Sequence, residues 1–144
     1  MHTTGHLVRW DVPFADAIDP SVSVITESGG DVVSLVVAPA GVDRYPKFLI
    51  RFSKVITLLC CEEAHGFDRG YRDLPGIEQR CCTHIWHDSP WLESYQRGSE
   101  VLGWKDLRHY LIFGGDSIVE LIASGQPTVE RLEDSRVIVT SHEV

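Results

Sequence analysis

Residues 107–123, LRHYLIFGGDSIVELIA, decide the fold. Two apolar runs, Leu107 to Phe113 and Ser117 to Ala123, flank Gly114-Gly115-Asp116, residues that accept the backbone angles of a tight reversal. The stretch reads as an antiparallel hairpin, and hairpin geometry relates His109 to Glu120. A two-residue loop at Gly114-Gly115 sets them directly opposite, whereas one at Gly115-Asp116 makes them diagonal neighbours on one face. That face also carries Leu107, Leu111, Phe113, Ile118 and Ile122, so an imidazole and a carboxyl group interrupt an apolar row. One reading is a small polar centre in which Glu120 orients His109 for proton transfer, metal ligation or ligand binding. The plainer reading is a mutually satisfied pair, because buried polar groups generally find hydrogen-bond partners. No nucleophile stands beside them in the hairpin.

Upstream of the hairpin, Asp88-Ser89-Pro90 starts a helix: Ser89 caps free amide donors, Pro90 suits the first helical position, and Glu93 favours the positive end of the dipole. Gly98 is the expected stop. Trp91, Leu92 and Tyr95 gather on one side, with Glu93, Gln96 and Arg97 toward water. Before it, Cys81 to Trp86 reads as a strand with Cys82, His84 and Trp86 on one side.

Further toward the N-terminus, Tyr45 to Phe52 alternates, placing Phe48, Ile50 and Phe52 on one face. Val55 to Cys61 is apolar on both sides, and one strand through Glu62 would be unusually long, so a turn or bulge is expected near Ser53. Val32 to Ala38 has the β-branched composition of a buried strand. Val22, Val24 and Thr26 precede it across Ser28-Gly29-Gly30-Asp31, which reads as a second hairpin. Leu7, Val8, Trp10, Val12 and Phe14 alternate loosely. Residues 62–80 hold Gly66, Gly70, Pro75 and Gly76 among charges and read as a long loop. Val137 to Val139 is expected as a short edge strand.

One convincing helix among many strands excludes a doubly wound parallel sheet, which needs helices between its strands. The expected fold is α+β and mostly β: an antiparallel sandwich or partly open barrel with one short helix, in a single globular domain over 1–144. At 144 residues, 43% hydrophobic and 24% charged, the chain is large and apolar enough to fold without disulfide staples.

The formal net charge of -8 repels phosphate backbones and anionic lipid, and the Arg and Lys residues form no run, so neither nucleic acid nor membrane is expected as a partner. No apolar stretch has the length of a membrane span, and the first residues do not read as a secretory signal, which makes the cytoplasm the expected compartment. The pairs Cys60-Cys61 and Cys81-Cys82 are then reduced thiols, best explained by core packing.

His84, His87, Asp88 and Cys82 include zinc-binding types but lack a ligand spacing such as CxxC or HExxH. No metal and no cofactor are expected, and a metal-dependent hydrolase is the weakest of three functions. Arg51, Asp88, Trp91 and Tyr110 are candidate recognition residues, since Trp, Tyr and Arg contribute disproportionately at protein interfaces.

The strand from Tyr45-Pro46 toward Val55 and Glu62, the Ser89 to Tyr95 helix and His109-Tyr110 through Glu120 occur in one order. In that arrangement the chain resembles a set of small uncharacterised bacterial proteins of about this length. The resemblance implies a shared fold. Some small bacterial proteins of this general look are immunity proteins, which neutralise a toxin by binding it. The function expected first is a non-enzymatic module that binds another protein, in an immunity-like or regulatory role. The alternative is a small-molecule-binding β-domain with His109 and Glu120 as polar anchors.

Overall fold

The computed structural model describes residues 4–27, 29–39, 46–62 and 70–133. Among them, nine strands and one α-helix follow the chain: β1 (His6–Arg9), β2 (Ser21–Thr26), β3 (Val33–Ala38), β4 (Lys47–Phe52), β5 (Val55–Glu62), β6 (Thr83–His87), α1 (Pro90–Leu102), β7 (Leu107–Phe113), β8 (Ser117–Ser124) and β9 (Thr128–Leu132). Every strand pair is antiparallel. Two separate sheets result, one ordered β1-β6-β7-β8-β5 and the other β2-β3-β4-β9, and they are not closed into a barrel. The fold is a mostly-β sandwich with one helix.

Alternation along the strands fills the space between the sheets. Val33, Leu35, Val37, Ile50 and Phe52 come from the four-stranded sheet and meet Tyr110, Ile112, Val119, Leu121 and Ala123 from the five-stranded sheet. Burying such side chains contributes about 1.5–3 kcal/mol each relative to exposure. The opposite face of the five-stranded sheet carries Leu7, Trp86, Leu111 and Ile118, and these pack with Tyr71 and Leu74 of the 62–80 stretch. That stretch is therefore anchored where it is described: Tyr71–Asp73 form a 3-10 turn and Leu7 N–H donates to Pro75 O at 2.8 Å.

The chain changes sheets between β4 and β5 at Ser53-Lys54, and the β5 register shifts between Val55 and Thr57. In the β7–β8 hairpin Phe113 pairs with Ile118 and Leu111 with Glu120. Of the two loops considered for it, this register matches the one centred on Gly115-Asp116.

Two expectations are corrected. Gly98 does not stop the helix, which runs to Leu102 and ends at Gly103, whose φ of 73° and N–H bond to Ser99 O form the left-handed cap. A single glycine costs a helix about 1 kcal/mol, which flanking residues and packing override. Strand β6 begins at Thr83, so Cys82 lies outside its alternation and packs between the sheets while His84 and Trp86 face the other way. Cys82 N–H bonds Ala15 O instead of a neighbouring strand. Ser28, Tyr45, Gly66 and the Val137 to Val139 strand lie outside the described residues.

Candidate functional site

His109 sits on β7, on the face turned away from the second sheet, and is fully buried. Its Nε2 lies 2.8 Å from Glu120 Oε1, and its Nδ1 lies 2.7 Å from Ser89 Oγ. Ser89 is the helix N-cap, and its Oγ accepts Leu92 N–H at 3.0 Å. Ser89 Oγ still has its proton and a second lone pair to face Nδ1, and on the other side of the ring Nε2–H donates to the Glu120 carboxylate. Trp86 stacks on the imidazole at 5.1 Å and Trp91 meets it edge-on at 5.3 Å.

Sequence reasoning found His109 and Glu120 but treated Ser89 only as a cap. The signal for Ser89 was present, since a capping hydroxyl keeps a proton to donate. Its target depends on where the helix docks, which no local pattern encodes.

The order serine, imidazole, carboxyl group is that of a nucleophilic hydrolase, but these three side chains differ from one in access and in ring orientation. All three side chains have 0% exposure, and the cavity lined by Tyr71 and Phe113 reaches none of them. The ring is also turned, with Nδ1 rather than Nε2 toward the hydroxyl. What the arrangement can do is clamp the start of α1 to the sheet through satisfied buried hydrogen bonds, each worth about 0.5–1.5 kcal/mol net.

The other sequence candidates are dispersed. Tyr110 points between the sheets, 5.0 Å from Trp10 and 5.1 Å from Phe52 by ring centroids, and burial raises its pKa. Arg51 lies on the four-stranded sheet, exposed and 3.4 Å from Glu27. Asp88 precedes the cap with φ 57°, its carbonyl accepting from Thr4 Oγ1. Trp91 alone joins His109.

His84 lies next on the same face. Its Nε2 accepts Glu78 N–H at 3.1 Å, so the ring proton is on Nδ1, which is buried without a partner. Burial lowers its pKa. Among the described residues no three His, Cys, Asp or Glu side chains group as metal ligands.

A cavity of about 440 Å³ opens beyond the β7–β8 turn, walled by Tyr71, Ile77, Cys82, Phe113 and Ile118, with Arg72 and Arg80 also lining it. Near it, Arg9 holds Asp16 through two bonds of 2.7 and 3.0 Å. Those bonds push the Asp16 pKa below its ordinary value and that of Arg9 above.

Helix α1 and its exposed C-terminal end are the second surface feature. Trp91, Tyr95 and Trp104 form a half-buried row with ring centroids 6.5 and 6.2 Å apart. Val101 and Leu102, at the end of the helix, are 88% and 57% exposed. Among the described residues no helix is long and apolar enough to cross a membrane. No protein-family model, curated protein or solved structure matches the chain.

Proposed function

We propose that this chain is a non-enzymatic binding module that engages another protein through the exposed C-terminal end of α1. The observation carrying the reading is the exposure of Val101 and Leu102 at the end of α1, the helix that also carries half-buried Trp91 and Tyr95. Burying the helix end contributes little to the fold, whereas an apolar patch with large aromatic residues is what partner proteins bury. A net charge of -8 favours a partner whose contacting surface is basic. The resemblance drawn from the strand, helix and hairpin segments gives this reading its immunity-like form, with a toxin neutralised by occupancy; the regulatory form has a host protein in its place. Either form places the module in the cytoplasm, where its thiols stay reduced.

The test is capture from native cell extract at physiological salt, comparing the wild type with a Val101→Asp, Leu102→Asp double variant. Both sites are exposed, so the two proteins are expected to unfold at the same temperature. A partner held by the wild type and released by the variant is the expected result. Empty capture by the wild type, or equal capture by both, overturns the reading.

The cavity supports a second reading, a small-molecule site, because about 440 Å³ is within the usual range for ligand pockets. Its polar contacts would come from Arg72, Arg80, Asp19, Glu78 and Gln79, since His109 and Glu120 do not line it.

A further inference from the structure

The cavity beyond the β7–β8 turn has walls that the chain itself holds in place. On one side Gly115 N–H donates to Pro20 O at 2.9 Å and ties the segment that carries Asp19 to the turn. On the other, Glu78 N–H donates to His84 Nε2 and Cys81 N–H to Glu78 O, both at 3.1 Å. Walls fixed in this way form a site before any ligand arrives. Much of the lining is apolar, made by Tyr71, Ile77, Phe113 and Ile118. Ile18 also lines the cavity and is 74% exposed, so an apolar ligand group has uncovered surface to bury there.

Among the described residues four charged ones line the same space: Asp19, Arg72, Glu78 and Arg80. Two of them are already committed. The Glu78 carboxylate lies 3.6 Å from Arg9 Nη1, and Arg72 interacts within the chain. Asp19 and Arg80 are exposed, and among the described residues neither has an ion-pair partner. One unpaired acid and one unpaired base thus share an apolar cavity. A purely anionic ligand would bring its charge to Asp19 as well as to Arg80, and a purely cationic one would meet the reverse conflict. A zwitterion with an apolar tail answers both charges and the walls.

We propose, resting on the cavity's being a small-molecule site, that it takes a free α-amino acid with an apolar side chain. The carboxylate pairs with Arg80, the ammonium with Asp19, and the side chain lies against Phe113 and Ile118. This site is separate from the end of α1 and stands or falls apart from partner binding there.

The test is isothermal titration calorimetry of the whole protein with L-phenylalanine and three relatives, up to about 10 mM to reach weak binding. N-acetyl-L-phenylalanine lacks the ammonium, L-phenylalaninamide lacks the carboxylate, and N-acetyl-L-phenylalaninamide lacks both. L-Phenylalanine is expected to bind about fivefold tighter than either singly charged relative, the size of a partly exposed ion pair. Asp19→Asn is expected to erase the difference from the N-acetyl compound and keep that from L-phenylalaninamide, and Arg80→Gln to do the opposite. Both positions are exposed, and Asn accepts the φ of 46° that Asp19 holds, so both variants are expected to fold. L-Phenylalanine bound no tighter than any one of its relatives overturns the zwitterion and keeps the cavity as a small-molecule site. Binding by none of the four overturns both, because the uncharged compound tests the apolar walls alone. Discrimination that survives unchanged in both variants puts the charges elsewhere and also overturns the proposal.

Discussion

His109 Nε2 lies 2.8 Å from Glu120 Oε1, although Glu120 pairs across the ladder with Leu111 and His109 with Ile122. The contact is diagonal, and it leaves Nδ1 directed at Ser89 on another element. One imidazole thereby joins both strands of the hairpin to the helix cap. Glu120→Ala leaves the imidazole N–H buried without this acceptor and is expected to cost about 3 kcal/mol or more. Glu120→Gln keeps an acceptor of the same shape and is expected to cost less. Urea unfolding midpoints check the order, and equal losses would show that the hydrogen bond contributes nothing beyond volume.

Ser89 has the partners of an activated nucleophile but no access for a substrate. A serine-directed organophosphorus reagent is therefore expected to leave the intact mass of the folded protein unchanged. Ser89→Ala removes a helix cap and is expected to destabilise by about 1–2 kcal/mol. Covalent labelling of Ser89 in the native protein would contradict the sealed site.

Two glycines separate strain from crowding. A Cβ on Gly76 would lie 1.8 Å from Leu7 O at a φ of +92°, whereas one on Gly103, at +73°, meets nothing within 4 Å. Gly103→Ala is expected to cost about 1 kcal/mol through backbone conformation alone. Gly76→Ala must also push the covering segment off β1, and it is expected to cost about 3 kcal/mol or more. Thermal unfolding of the two variants measures the gap, which vanishes if Gly76 does not pack against β1.

His84 gives the protein a pH dependence whose sign follows from burial. Its folded pKa is lowered from the ordinary 6.5, chiefly by desolvation. As pH falls through about 6.5 the unfolded chain takes up a proton that the folded chain does not, so stability is lost toward acid. Asp16, whose pKa is lowered from 3.8, acts in a separate and more acidic window. Unfolding midpoints of the wild type are expected to fall between about pH 7.5 and about pH 5.5, and less steeply in His84→Gln. Parallel slopes for the two proteins would remove His84 as the cause.

The cysteines are expected to divide by environment. Cys60 is exposed, whereas Cys82 is buried, donates its thiol to Phe14 O at 3.2 Å and is pushed up to about 12 by desolvation. Brief alkylation of the native protein should modify Cys60 and spare Cys82, because the thiolate is the reacting form. Peptide mapping reads the result, and comparable modification of both would show that the sheets open readily around Cys82.

The Leu107 to Ala123 stretch showed by itself that a hairpin forms and that either two-residue loop puts His109 and Glu120 on one face, because side-chain direction on a strand has period two; the register that chose between the loops came from the structure. The scarcity of helical patterning likewise determined an antiparallel, mostly-β fold. Ser89 was legible as a cap for the same local reason, while Gly98 misled because packing and the later cap at Gly103 outweigh one residue's propensity. Only the tertiary structure decided that Ser89 meets His109 and that Tyr110 points into the sandwich. Those are relations between residues distant in the chain, set by how sheets stack and where a helix docks. Local periodicity fixes a side chain's direction but not what it will meet.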